Sequence, residues 1–187
     1  MTIGFAFTGS FCTFSQVIPQ IEKIVKAGHT VIPIFSDTSY KTDTRFGEAK
    51  KFREKVEQIT GHEVWHTVTQ TEPIGPQKLL DVLVVAPCDS NTLAKLANGI
   101  NDTAVTMACK SHLRNGRAVV LAISTNDALG FSAKNIGTLL AFRDYYFVPF
   151  GQDDFKKKPR SMVAYFNLIL PTVEAAVRGE QIQPILR

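Results

Sequence analysis

Hydrophobic and polar positions alternate along this chain in two repeating patterns. Short apolar runs at Ile3 to Thr8, Thr30 to Phe35, Val82 to Ala86 and Ala118 to Ile123 read as buried strands. Between them, apolar residues recur three and four positions apart, the spacing of one helix face. Val17, Ile21, Ile24 and Val25 mark such a face within Ser15 to Ala27, and Gly28 stops it. Further helices are expected over Gly47 to Thr60, Asn91 to Gly99, Ala104 to Arg114 and Ser132 to Arg143. His62 to Val68 is expected as a third strand and Tyr145 to Val148 as a short sixth. A last helix, Ser161 to Gly179, should bend at Pro171, because proline lacks the amide that a helix interior uses. Ser36 to Phe46 and Pro149 to Arg160 carry no periodicity and read as loops, and from about residue 180 the tail reads as extended.

Strands and helices in alternation predict the α/β class: a three-layer, doubly wound parallel sheet of about six strands, Rossmann- or flavodoxin-like. Such sheets take ligands at the carboxyl ends of their strands. With 187 residues and no linker or internal repeat, the chain 1–187 is expected to form one domain that buries about 70% of its unfolded surface. Composition narrows the function classes. A chain 44% hydrophobic and 20% charged, with net charge +4, reads as an ordinary soluble protein with no implied nucleic-acid partner. No signal peptide and no apolar run of about 18 residues is present, so a cytoplasmic setting is expected. Three cysteines, Cys12, Cys88 and Cys109, without C-x-x-C spacing, argue against a disulfide framework and agree with a reducing compartment.

Two strand-to-helix junctions could carry chemistry. Phe7-Thr8-Gly9-Ser10 ends the first strand and enters a helix. Glycine with hydroxyl residues there can wrap a phosphate in backbone amides, although any tight turn uses the same residues. The segment is not G-x-G-x-x-G, which disfavours a dinucleotide. Ala86-Pro-Cys-Asp-Ser-Asn-Thr-Leu-Ala-Lys-Leu-Ala-Asn-Gly-Ile-Asn-Asp102 is the second junction. It leaves a buried strand at Pro87 and restarts as a helix that Ser90 or Asn91 can cap. Within it, Cys88 reads as a small buried thiol rather than a nucleophile. His62-Glu63-Val64-Trp65-His66 spells H-E-x-x-H, but zinc needs that motif on a helix. On the expected strand the two imidazoles lie roughly 13 Å apart, so no metal is expected.

The Ala86–Asp102 segment resembles the A-P-x-x-x-N-T-x-A-K-x-A-x-G-x-x-D motif of the flavin mononucleotide-binding cysteine decarboxylase superfamily. The resemblance implies that Pro87, Ser90, Asn91 and Thr92 approach the isoalloxazine ring. It implies that Thr8, Gly9, Ser10 and Ser36 hold the flavin phosphate, or a phosphate in its place. Ser124 and Asn126 fall where that superfamily carries P-x-M-N; a capping turn is the alternative. Homo-oligomers, trimers or multiples of them, are also implied, with Lys95, Asn98 and the Ala104–Leu113 helix at the contact. The chain departs from the decarboxylases in two places. Pro73 stands where they carry an active-site histidine, and no cysteine follows Val148. Decarboxylation of a cysteinyl substrate is therefore not expected, and no catalytic residue is assigned.

Thr42-Asp-Thr-Arg-Phe-Gly47, Thr71-Glu-Pro-Ile-Gly-Pro76, Tyr146-Phe-Val-Pro-Phe-Gly-Gln-Asp-Asp154 and Lys157-Lys-Pro-Arg-Ser-Met-Val-Ala164 carry a narrower resemblance. They resemble the B-type subunits of a two-subunit bacterial oxidoreductase that aromatises a dihydropyridine dicarboxylate during sporulation. That resemblance implies an A-type partner subunit bearing NAD(P). A dianionic substrate needs cations, and arginine grips a carboxylate bidentately. Arg45, Lys157, Lys158 and Arg160 are the candidates; each could equally be a solvated surface charge. Two other readings stay open: a non-catalytic subunit that binds flavin or phosphate, and a stand-alone flavin enzyme.

Overall fold

The computed structural model describes residues 1–187. Its sheet is built from β1 (Thr2–Phe7), β2 (Thr30–Phe35), β3 (Val82–Cys88), β4 (Val119–Thr125) and β5 (Tyr145–Phe147), with the short β6 (Phe150–Gly151) and β7 (Met162–Ala164). β1 pairs in parallel with β2 on one side and β3 on the other; β4 pairs in parallel with β3 and β5. The parallel order is therefore β2-β1-β3-β4-β5, the flavodoxin-like arrangement. All seven residues of β3 are buried, as expected of a strand covered on both faces.

Helices cover both faces. α1 (Phe14–Lys26), α3 (Ala49–Thr60) and α8 (Ile169–Val177) pack together on one side, and α4 (Val68–Thr71) packs on α6 (Ala104–Leu113) on the other. α5 (Ser90–Ala97) lies against α6 and α7 (Ala133–Leu140). One cluster of 46 buried hydrophobic residues runs through the layers. The chain reverses direction across the sheet at β1: β2 lies on one side of it and β3 on the other. The crevice between the carboxyl ends of β1 and β3 is where such a fold binds ligands.

Several expected elements differ. His62 to Val68 is not a strand; only Trp65 bridges β2, opposite Ile34. The run is cut short by a capping box. The Thr67 hydroxyl accepts from the Gln70 amide while Gln70 accepts from the Thr67 amide, which starts α4 at Val68. The loop Ser36 to Phe46 contains a helix, α2 (Asp37–Lys41), capped by Ser36. The expected last helix is shorter, because Met162 to Ala164 forms β7 and the α-helix starts at Ile169. Pro171 is then its third residue, where an amide has no acceptor inside the helix, so proline is accommodated without a break. No helix is long and apolar enough to cross a membrane.

Candidate functional site

The loops after β1 and β3 are stitched together by Thr8 and Asp89. Thr8, fully buried at the end of β1, donates from its hydroxyl to the Pro87 carbonyl at 2.7 Å and accepts from the Asp89 amide at 2.9 Å. Asp89 caps α5: its Oδ1 accepts from the Thr92 amide at 2.8 Å. Its Oδ2 reaches across to the first loop and accepts from the Gly9 amide, also at 2.8 Å. The third loop joins through Ser10, whose hydroxyl donates to the Ser124 carbonyl at 2.6 Å.

A cleft of about 740 Å³ opens where these loops meet. Gly9, Ser10, Ser90, Asn91, Ser124 and Asn126 line it, so the structure brings six of the ten expected cofactor residues to one site. The other four stand behind or beside it. Thr8 and Pro87 form the stitch just described, and Thr92 is buried in the first turn of α5. Ser36 is buried, and its hydroxyl caps α2 by accepting from the Ser39 amide at 3.2 Å while sharing a hydrogen bond with the Ser39 hydroxyl. Of the four expected substrate cations, Lys158 lines the cleft. Arg45 lies over the ring of Phe46, 4.9 Å from its centroid, and only Phe46 reaches the lining. Lys157 and Arg160 are exposed outside it.

Acidic residues are what sequence reasoning missed. Asp89, Asp127 and Asp153 all line the cleft, against Lys158 as its one ammonium group. Asp127 accepts from the Thr125 hydroxyl at 2.5 Å and the Ser132 hydroxyl at 3.0 Å, which fixes the loop after β4. Burial alone would raise the Asp153 carboxyl, but hydrogen bonds from Ser161 and Lys158, together with the Lys158 charge 3.2 Å away, hold it below its ordinary range. One signal for Asp89 was available: an acidic residue right after a strand and three before Thr92 has the spacing of a helix cap. Cys88 is fully buried, and burial with the neighbouring Asp89 pushes its thiol well up, so it holds its proton and is no nucleophile.

The residue types of the lining suit the ring of a flavin. Asn91, Asn126 and the hydroxyls of Ser90 and Ser124 offer partners for a polar ring edge, with Phe11, Phe46 and Val163 as apolar surface. The phosphate end is different, because the Gly9 amide already holds a carboxylate and Ser36 turns its hydroxyl to Ser39.

This chain belongs to the flavoprotein family, whose model matches residues 1–147. Within that family the similarity is narrow. The B subunit of dipicolinate synthase from Bacillus subtilis (strain 168) is 47% identical over 184 residues, which cover 98% of this chain and 92% of that protein. The crystal structure of the dipicolinate synthase B subunit from Bacillus halodurans C superposes with a TM-score of 0.91 at 45% identity, over 100% of this chain and 95% of that one. The fold extends further: the FMN-dependent cysteine decarboxylase SpaF matches with a TM-score of 0.69 at 16% identity, over 95% of each chain.

Proposed function

We propose that the cleft binds FMN and that this chain acts with an A-type partner subunit, bearing NAD(P), to oxidise dihydrodipicolinate to dipicolinate in the cytoplasm of a sporulating cell. The observation that carries this reading is the convergence of Ser10, Asn91, Ser124 and Asn126 on one cleft at the carboxyl ends of β1, β3 and β4. The 47% identity to a dipicolinate synthase B subunit supports the substrate.

The reaction removes a hydride and a proton, and the gain of aromaticity drives it forward. A bound flavin would supply a hydride acceptor; nicotinamide on the partner is the other source. This chain's own part is to hold and orient. Asn91 and Asn126 offer hydrogen bonds to a ring edge, and the loops that carry them are both tied to the loop after β1, the first by the Thr8–Asp89 stitch and the second by the Ser10–Ser124 hydrogen bond. Lys158 is the one cation in the lining, and it would have to leave Asp153, 3.2 Å away, to meet a substrate carboxylate. Three carboxylates beside one ammonium cannot neutralise a dianion, so the remaining positive charge must come from Arg45, Lys157 and Arg160 on moving, or from another subunit. The isolated chain should therefore be weak or inactive.

The acidic lining also favours a second reading, a non-catalytic subunit that completes its partner. Purified subunits, separate and mixed, assayed with dihydrodipicolinate and a nicotinamide acceptor, separate the two. The first reading requires turnover that depends on this chain and on added FMN; full activity from the partner alone overturns it. We further propose a homo-oligomer, a trimer or a multiple of one. α6 contributes little free surface to it, since seven of its ten residues are buried within the chain and only Met107, Lys110 and Leu113 remain at least partly open. A monomer in sedimentation at micromolar concentration would contradict the assembly.

A further inference from the structure

Asp89 already occupies the Gly9 amide, a backbone donor in the loop where a flavin phosphate is expected. We propose that Asp89 is a specificity-determining residue, a built-in anion that competes with the flavin phosphate for the Gly9 amide, so that the site distinguishes little between FMN and riboflavin. This inference rests on the flavin reading above.

The geometry is specific. Both carboxylate oxygens are used, Oδ1 on the Thr92 amide and Oδ2 on the Gly9 amide, each at 2.8 Å. A side chain cannot be placed at residue 9 to relieve this, since a Cβ there would sit 2.9 Å from the same Oδ2. An ionised carboxylate accepts and never donates, so it offers a phosphate nothing but repulsion. Asp127 and Asp153 on the same lining add to that repulsion, and the Lys158 ammonium is already paired with Asp153. Ser36, the other expected phosphate partner, is buried at the cap of α2 and does not line the cleft. A ligand whose negative charge is small, or lies elsewhere, meets none of these costs.

Asp89→Asn isolates the effect. Asparagine caps a helix about as well as aspartate, so the bond from the Thr92 amide can persist through its Oδ1. Its Nδ2 donates and cannot accept from Gly9, so one charge disappears and one backbone donor is freed. Asp89→Ser, another good cap, is the second neutral variant. Wild type and both variants are titrated with FMN and with riboflavin at low salt, following flavin fluorescence. Wild type should bind the two within about threefold of each other. Both variants should gain about tenfold or more for FMN, in line with a charged hydrogen bond gained, and change riboflavin less than twofold. Binding of both flavins with an unchanged ratio in the variants, or a wild type that already prefers FMN more than tenfold, overturns the inference and leaves the flavin reading standing. No binding of either flavin by any of the three proteins overturns the flavin reading and this inference together.

Discussion

Lowering the pH should destabilise this protein through a single buried ring. His112 lies in α6 and is 1% exposed, and neither of its ring nitrogens has a hydrogen-bond partner. Burial, helped by the positive charge of Arg117, pushes its pKa down from 6.5 to about 4, against weaker opposing effects from the Ala118 backbone and Asp81. The unfolded chain takes up a proton near pH 6.5, whereas the folded chain resists until about pH 4. Acid therefore favours the unfolded state throughout that window, and the contribution levels off below it. The gap, at roughly 1.4 kcal/mol per pH unit, amounts to about 3 kcal/mol in full, of which about 2 kcal/mol should be lost between pH 7 and pH 5. Urea unfolding of the flavin-free chain at several pH values measures this directly, with His112→Leu as the comparison. Leucine has no nitrogens to leave unpaired, so the variant should be at least as stable at pH 7 and should lack the steep loss. Parallel pH profiles for the two proteins, or an imidazole resonance of His112 that titrates near 6.5, would refute the reasoning.

Ser111→Ala should cost about 1–3 kcal/mol in thermal or urea unfolding, because Ser111 accepts from the buried Gly75 amide at 2.8 Å and donates to the Glu72 carbonyl, and the amide would lose its partner. Gly75→Ala should cost at least about 1–3 kcal/mol, since its Cβ would fall 2.2 Å from the Ser111 backbone oxygen. The contact is with main chain, so adding Ser111→Ala should not rescue it, and a rescue in the double variant would show the clash to be elsewhere. Ser10→Ala should lose roughly 1 kcal/mol of stability and weaken flavin binding several-fold by releasing the Ser124 carbonyl; unchanged values in both measurements would remove Ser10 from the site.

Strand and helix alternation made the parallel core legible, because β1 to β4 are nearly continuous apolar runs and the order of loops follows from their sequence. The same logic failed where polar side chains decide local structure. Thr67 and Gln70 turned an expected strand into a helix start through two hydrogen bonds that hydrophobic periodicity does not register. Ser36 was expected at the phosphate; its spacing to Ser39 also suits a cap, and its hydroxyl does cap α2. Met162 to Ala164 carried no signal of its own, since three residues are too few to show a period and their partners lie far away in the chain. At the site, the motif positions that resemble known flavin loops did gather, whereas the charge of the cleft came from aspartates scattered through three separate loops. No linear pattern connects Asp89, Asp127 and Asp153; only the fold does.

β4 forks. Val119 to Leu121 pair in parallel with β5, while Ser124 and Thr125, further along the same strand, pair antiparallel with β7. On its other edge β7 pairs with β6, and the turn between them holds Lys156 to Arg160. Two residues of β4 join that hairpin to the core sheet, Phe150, Met162 and Ala164 anchor it in the buried cluster, and it delivers Asp153, Lys158 and Val163 to the cleft. Such an arrangement is modular. A different loop could be spliced between Gly151 and Arg160 without disturbing the register of the five parallel strands, so ligand choice can drift in evolution, or be exchanged by a protein engineer, while Arg160 and Ser161 keep their bonds to Leu129 and Asn126.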